Sequence, residues 1–261
     1  MDNLSRTLSL GCVEFAVPGR TLEEKLEVLE SRAMWLELVN DEARSLESIQ
    51  AAVSSFSVPI FSVQANKLHH LSLLSDDLGE RRAAREHVEE TMSWAAALGA
   101  ENVITTLAFG DPAAREPYSL ALETFRGFGM QAEELGITVS IEPLGKNRTS
   151  FLPGMSEVHG LISELGMEHL RLMADTMHIH DNGDDVVEVV ARYVDEISEL
   201  QLRDTESRPP GQGAIDFSSL MDVVVKKFKG LLCLEYKSGT NLGKDFDHAC
   251  KFVFGFIAAV R

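Results

Sequence analysis

The sequence predicts an α/β protein built as a single (β/α)8 barrel. Short β-rich runs alternate strictly with longer segments of helical periodicity, and this alternation repeats eight times along 261 residues. Strict alternation indicates parallel strands joined by right-handed helical crossovers. Eight units of about 33 residues favour closure into a barrel over an open doubly wound sheet. Because no low-complexity tract or Pro/Gly-rich linker divides the chain, we expect residues 1–261 to form one domain.

In the N-terminal half, each short strand is followed by a segment with apolar residues at helical spacing. Thr21 can cap the first helix, which carries Leu22 and Leu26 on one face. The third helix ends at Gly99 and the fourth at Gly136, since glycine is common just after a helix. The four strands predicted here span residues 8–17, 34–40, 60–66 and 102–110.

The C-terminal half repeats the pattern. The fifth helix stops at Gly166, and Asp216 stands where its side chain can cap a later helix. A last amphipathic segment covers about residues 244–260. The four strands predicted in this half begin at residues 137, 170, 197 and 231.

Four polar side chains stand at the ends of these last four strands. Glu142, Asp175, Gln201 and Glu235 are separated by 33, 26 and 34 residues, close to one barrel unit each. Because chemistry in such barrels sits at the carboxyl ends of the strands, we expect these groups to converge at the barrel mouth. Three neighbouring carboxylates repel one another, and a divalent cation removes that conflict. An all-oxygen set favours Mn²⁺ or Mg²⁺, and Co²⁺ and Zn²⁺ stay open.

The motifs around these residues resemble those of the sugar phosphate isomerase/epimerase family, which is part of the xylose isomerase-like TIM barrel superfamily. The motifs are IEPL at Ile141–Leu144, DTMH at Asp175–His178, PGQG at Pro210–Gly213 and LEY at Leu234–Tyr236. The resemblance covers nearly the whole chain and is strongest from Ile137 to Lys237. It is fairly specific for the superfamily and poorly specific for the substrate.

The resemblance implies a role for each of these residues. Gln201 stands where many members have His, as it does in hydroxypyruvate isomerase-like members. His178 matches a histidine that contacts substrate oxygens, and Arg208 resembles an arginine that binds a substrate hydroxyl or carboxylate. The metal ligands implied by the family are Glu142, Asp175, Gln201 and Glu235.

Cationic residues on the same predicted loop face are further candidates for substrate binding. Lys146 and Arg148 follow strand five, where family epimerases often carry another Glu, and two cations there can bind a carboxylate or phosphate. Lys237 follows strand eight. The alternative for the Lys146–Arg148 loop, and for Arg208, is a solvated charge without a ligand.

The sequence therefore predicts a divalent-metal-dependent isomerase or epimerase of a small sugar, keto-sugar or hydroxy-carbonyl acid. Glu142 and Glu235 would exchange protons with the substrate, through an enediolate that the metal stabilises. Which of the two is the base depends on the substrate. Two alternatives stay open, namely a metal-dependent dehydratase or lyase of the inosose or dehydroshikimate type, and a sugar-binding subunit without catalysis.

Composition excludes several other classes. A net charge of −17 would repel nucleic acid, and strand four ends without the histidine that a multi-zinc mouth like that of endonuclease IV needs. The three cysteines do not suggest a disulfide framework, and neither a membrane span nor a signal peptide is evident. We expect a cytoplasmic protein whose partner is a small carbohydrate-like molecule, without nucleic acid or membrane. Homo-oligomer formation stays open.

Overall fold

The computed structural model describes residues 8–41, 43–239 and 241–259, and these form a closed barrel of eight parallel strands. Each strand pairs with the next one in sequence, and β1 pairs with β8 to close the barrel. The predicted fold class is therefore confirmed. The strands are β1 (Leu10–Val13), β2 (Trp35–Asn40), β3 (Ile60–Ala65), β4 (Asn102–Thr106), β5 (Thr138–Glu142), β6 (Leu170–Asp175), β7 (Ile197–Leu202) and β8 (Leu231–Leu234).

The described residues form nine α-helices, and none of these is long and apolar enough to cross a membrane. The helices are α1 (Leu22–Glu30), α2 (Leu46–Val53), α3 (Leu78–Leu98), α4 (Pro117–Leu135), α5 (Met155–Leu165), α6 (Thr176–Asn182), α7 (Val186–Tyr193), α8 (Phe217–Lys227) and α9 (Leu242–Ala259).

Helix α6 is one helix more than the sequence pattern predicts. The predicted sixth strand ran on toward His178, but β6 stops at Asp175. The reason is local, because Asp175 Oδ1 accepts hydrogen bonds from the backbone N–H groups of Met177 and His178, at 2.8 and 2.9 Å. A carboxylate in that position caps a helix, so the chain turns directly from strand into helix.

The predicted helix ends are confirmed where they depended on a capping residue. The side chains of Thr21 and Asp216 each accept a hydrogen bond from the backbone N–H three residues later. Gly99, Gly136 and Gly166 follow α3, α4 and α5 with φ of 71°, 67° and 62°. Only glycine adopts that left-handed conformation at little cost, which explains why these helices end there.

The two faces of β7 illustrate where the core lies and how the barrel interior differs from it. Leu200 and Leu202 belong to the apolar core. Glu199 and Gln201 alternate with them and hydrogen-bond side chains of β4 and β2 across the barrel. Successive inward residues therefore climb through the barrel toward its mouth.

Candidate active site

A cavity of about 550 Å³ opens at the carboxyl ends of the strands. Two exposed aromatic rings, Phe15 and Phe109, stand at its edge. Of the residues predicted for the site, it is lined by Glu142, His178, Glu235 and Lys237. Convergence of these residues at the mouth of the barrel is what their strand-end positions predicted.

Asp175 lies at the end of β6 and is 1% exposed. Its Oδ1 caps α6, and its Oδ2 forms an ion pair with Arg203 Nε at 2.7 Å. Both carboxylate oxygens therefore have fixed partners. Asp175 lies against the cavity-lining residues Arg203 and His178 without being in the cavity lining itself.

Arg203 is the central cation of the site. It directly follows β7, and its guanidinium contacts three different groups. Besides Asp175, it pairs with Glu235 through Nη1 and Oε1 at 3.0 Å, and its Nη2 lies 2.8 Å from His178 Nε2. The five side chains that meet here, called the mouth layer below, are Glu142, Asp175, His178, Arg203 and Glu235.

His178 is neutral in this arrangement. A guanidinium can only donate hydrogen bonds, so His178 Nε2 must accept from Arg203, which leaves the ring proton on Nδ1. Burial lowers the pKa of His178 to about 4, and the Arg203 charge acts in the same direction while Asp175 opposes it. His178 Nε2 also lies 3.5 Å from Glu142 Oε1, which connects β5 to the rest of the layer.

The two glutamates of the mouth layer are nearly enclosed, with 12% of the Glu142 side chain and 11% of the Glu235 side chain exposed. Burial raises the pKa of Glu235 to about 7, although the Arg203 charge counteracts it. Burial also raises the pKa of Glu142 well above its usual value, and the neighbouring charges of Glu235 and Asp175 add to that effect.

Gln201 lies one layer below the mouth. Its Nε2 donates to Glu37 Oε1 on β2 at 2.8 Å, and its buried Oε1 has no hydrogen-bond partner among the described residues. Gln64 on β3 links the two layers, since its Nε2 donates both to Glu37 Oε1 and to Glu235 Oε2, the latter at 3.2 Å. The assignment of Gln201 as a metal ligand stays a prediction.

A second acidic group fills the barrel below the mouth. Glu37, Glu199 and Cys233 each offer one ligand atom, and these atoms all lie within 4.8 Å of one another. All three are completely buried, and none lines the cavity. Burial raises the pKa of both Glu37 and Glu199. The four side chains at this level, called the inner layer below, are Glu37, Glu199, Gln201 and Cys233.

Residues of the mouth layer could hold a metal ion. Glu142, Asp175 and His178 offer ligand atoms within 4.8 Å of one another, and carboxylate oxygen and neutral imidazole are common ligands of divalent metals. The orphaned Gln201 Oε1 is a further unused oxygen nearby. The donor set fits a divalent ion in its chemistry, with the reservation that Arg203 contacts Asp175, His178 and Glu235 in this structure.

Two predicted substrate contacts lie outside the cavity. Arg208 is exposed, pairs with Glu206 and donates from Nη1 to the Gln212 carbonyl at 3.3 Å. Lys146 is exposed beside the C-terminal end of α6, near Gly183. Neither residue is among those that line the cavity, so their binding of substrate stays a prediction.

Arg203 and Gln64 are the members that the sequence did not assign to the site. The sequence placed Arg203 on the loop face as one of several cations, because it follows the last residues of strand seven. A signal was present in the period of two that relates Glu199, Gln201 and Arg203, since it directs all three side chains inward. No comparable signal distinguishes Gln64.

Comparison with known proteins assigns the fold to a family. A family model described as "Xylose isomerase-like TIM barrel" matches residues 12–254. The chain belongs to this family. Membership agrees with the resemblance that the motifs indicated, and it accounts for a site at the carboxyl ends of the barrel strands.

Three individual proteins are similar to this xylose isomerase-like barrel. A putative hydroxypyruvate isomerase of Streptomyces coelicolor is 28% identical over 137 residues, or 49% of this chain and 48% of that protein, so the match spans about half of the curated relative. A 3-keto-D-glucoside 4-epimerase from E. coli superposes with a TM-score of 0.85 at 15% identity, covering 95% of this chain and 99% of the other. The IOLI protein, solved with a binding zinc atom, superposes with a TM-score of 0.80 at 16% identity, covering 97% and 99%.

Proposed function

We propose that this barrel is an isomerase or epimerase of a small sugar, keto-sugar or hydroxy-carbonyl acid. The observation that carries the proposal is the placement of Glu142 and Glu235. Both carboxyls line one cavity, and they come from β5 and from the end of β8, three strands apart around the barrel. A molecule bound between them has a proton-transferring group on more than one side.

Two carboxyls in this arrangement suit the exchange of a proton next to a carbonyl. One carboxylate removes the C–H proton, and the other carboxyl, or the same one after reorientation of the substrate, returns a proton to the neighbouring carbon or to the other face. His178 Nε2 and Arg203 lie beside both carboxyls and hold them in place. The largely enclosed cavity floor limits competing proton exchange with water.

The proposal includes a divalent metal, with Mn²⁺ or Mg²⁺ as the ions best matched to carboxylate and amide oxygens. The residues that would hold it are Glu142 and Asp175, with His178 close to them and with Glu235 and Gln201 as the further ligands expected from the sequence. A bound ion would act as a Lewis acid that polarises the substrate carbonyl. The zinc in the structure of the IOLI protein supports a metal in this fold family.

Similar proteins support the reaction class. One relative is named a hydroxypyruvate isomerase, and the barrel superposes over nearly its full length on a 3-keto-D-glucoside 4-epimerase. Both reactions move protons and oxygens around a carbonyl carbon. We carry this reaction class to the present chain as a proposal, together with the expectation of a cytoplasmic enzyme of carbohydrate metabolism.

The cavity walls suggest how such a substrate is held. Arg148 lies over the Phe109 ring at 5.3 Å from its centroid, and Lys237 stands at the same rim. These cations can bind a carboxylate or several hydroxyl groups, and the aromatic face can cover an apolar side of a sugar. His178 and Lys237 are the proposed substrate contacts within the cavity. Lys146 and Arg208 would join them only by turning toward it.

A substrate panel followed by proton NMR in D₂O tests the proposed reaction. The panel contains hydroxypyruvate, ketopentoses and ketohexoses, with Mn²⁺ added to the full chain. We expect at least one substrate to be converted into an isomer of the same mass, with deuterium entering at a carbon next to the carbonyl.

Two results would contradict the proposal. Loss of 18 mass units from the substrate would instead assign a dehydratase or lyase. Binding of a sugar without conversion or deuterium exchange, across the panel and with Mn²⁺, Mg²⁺ and Co²⁺ in turn, would assign a sugar-binding protein.

A further inference from the structure

The inward face of β7 carries a row of polar side chains that ends in a buried cation. Glu199, Gln201 and Arg203 are two residues apart, so each points into the barrel one level nearer the mouth. Arg203 is only 6% exposed. A guanidinium at this depth is stable only where anions and hydrogen-bond acceptors surround it.

Arg203 meets that condition by dividing its nitrogens among three partners. Nε lies 2.7 Å from Asp175 Oδ2, Nη1 lies 3.0 Å from Glu235 Oε1, and Nη2 lies 2.8 Å from His178 Nε2. These partners belong to β6, to the residue after β8 and to α6. One guanidinium thus connects three elements at the centre of the mouth layer.

A divalent ion would need the same lone pairs. Asp175 Oδ1 already accepts hydrogen bonds from two backbone N–H groups, so Oδ2 is the oxygen that remains for a metal. That oxygen, Glu235 Oε1 and His178 Nε2 are the atoms that Arg203 contacts. Because a guanidinium does not lose its charge in proteins, its repulsion of a second cation is permanent.

We propose that Arg203 is the built-in cation of this site and competes with a divalent ion for Asp175, Glu235 and His178. Metal uptake then requires the guanidinium to withdraw from these atoms toward the cavity that it lines. Arg203, as well as the ligands themselves, therefore sets the affinity of the site for metal. With Arg203 in place, the carboxylates keep a fixed geometry whether or not a metal is bound.

This inference rests on the proposed function only in taking the mouth layer as the reaction centre. Its test measures metal binding without substrate or turnover, so the two proposals can fail separately. A chain that binds Mn²⁺ as expected here but converts no sugar would contradict only the proposed reaction.

Isothermal titration calorimetry with MnCl₂ on the metal-stripped full chain tests the competition. We expect Arg203→Ala to bind Mn²⁺ at least about tenfold more tightly than the wild type, because a like charge has been removed from the ion's surroundings. Arg148→Ala is the matched control. It also removes one cation from the cavity lining, but Arg148 lies over the Phe109 ring, so its Mn²⁺ affinity should stay within about threefold.

A second variant covers the case in which Arg203→Ala folds poorly. Arg203→Lys keeps a positive charge, but a single ammonium cannot span the three partners, so its Mn²⁺ affinity should fall between those of Arg203→Ala and the wild type. The rise in Tm on addition of Mn²⁺ should follow the same order. Equal Mn²⁺ affinity in the wild type and the Arg203 variants, or weaker binding after removal of Arg203, would overturn the proposal.

Discussion

The mouth layer and the inner layer both concentrate acidic side chains inside one barrel, and they neutralise the charge in different ways. In the mouth layer, Arg203 forms ion pairs with Asp175 and Glu235. In the inner layer, Glu37 Oε1 accepts only amide hydrogen bonds, from Gln64 and Gln201. The first layer opens to the cavity, and the second is completely buried.

The difference teaches what decides the state of a buried carboxyl. Glu37 Oε2 and Glu199 Oε1 are buried without a hydrogen-bond partner among the described residues, and burial raises the pKa of both glutamates. We infer that one proton is held between this pair, since two facing carboxylates cannot both stay charged without a cation. The inner layer then supports the barrel, while the mouth layer keeps charged groups available for chemistry.

Removal of a proton-transferring carboxyl from the mouth layer should have the largest effect. We predict that Glu142→Gln lowers kcat by about 10²- to 10⁴-fold, the usual contribution of a general acid or base, because the amide cannot exchange the proton. Steady-state kinetics on the substrate found in the panel measures it. Glu164→Gln, an exposed change on α5, is the control and should leave kcat unchanged. Near-wild-type turnover by Glu142→Gln would remove Glu142 from the reaction.

Loss of an ion-paired carboxylate should cost more stability than loss of a helix cap alone. Asp175 and Asp216 both cap helices, but only Asp175 also pairs with buried Arg203. We predict that Asp175→Ala lowers the free energy of unfolding by about 3 to 5 kcal/mol, because it leaves a buried cation short of a partner. Asp216→Ala should cost about 1 kcal/mol. Urea unfolding compares them, and equal losses would mean that the Arg203 pair adds nothing.

The contrast between the layers also explains how far the sequence could lead. Glu142, Asp175 and Glu235 were predictable, because a strand end in a barrel fixes both the level and the direction of a side chain. Gly99, Gly136 and Gly166 marked the helix ends for an equally local reason. The sequence missed α6 because a carboxylate at the end of a strand can equally begin a loop.

The rest of the site depended on directions that no local pattern fixes. Lys146 and Arg208 lie in βα loops, where side-chain direction follows loop conformation rather than a period of two. Arg203 follows β7 and was taken for a loop cation, although its alternation with Gln201 pointed inward. Its ion pairs with Asp175 and Glu235 join strands far apart in sequence, so only the closed barrel could reveal them.

Neutralisation of one acid in the inner layer should be tolerated. We predict that Glu199→Gln changes the free energy of unfolding by no more than about 1 kcal/mol, and in the stabilising direction, because it removes one of two facing carboxyls and keeps the shape. Thermal and urea unfolding at neutral pH provide the measurement. Destabilisation comparable to that of Asp175→Ala would mean that the inner carboxyls are ion partners like those at the mouth.

The smallest expected effect concerns the rim of the cavity. Arg148→Ala should raise KM about threefold for a substrate that carries a carboxylate, in the range of an exposed charge pair, and leave KM for an uncharged sugar unchanged. The comparison needs one acidic and one neutral substrate of the panel. A change of equal size for both would mean that Arg148 shapes the cavity through its contact with Phe109 and does not recognise charge.

The rate of solvent deuterium entry into substrate, followed by proton NMR, tests the assignment of proton transfer to the mouth layer most directly. Glu235→Gln and Glu199→Gln make the same chemical change two layers apart, in the mouth and in the barrel interior. We predict that Glu235→Gln loses at least about 10²-fold of the exchange rate, whereas Glu199→Gln keeps it within a few-fold. Undiminished exchange in Glu235→Gln, or an equal loss in Glu199→Gln, would contradict the assignment.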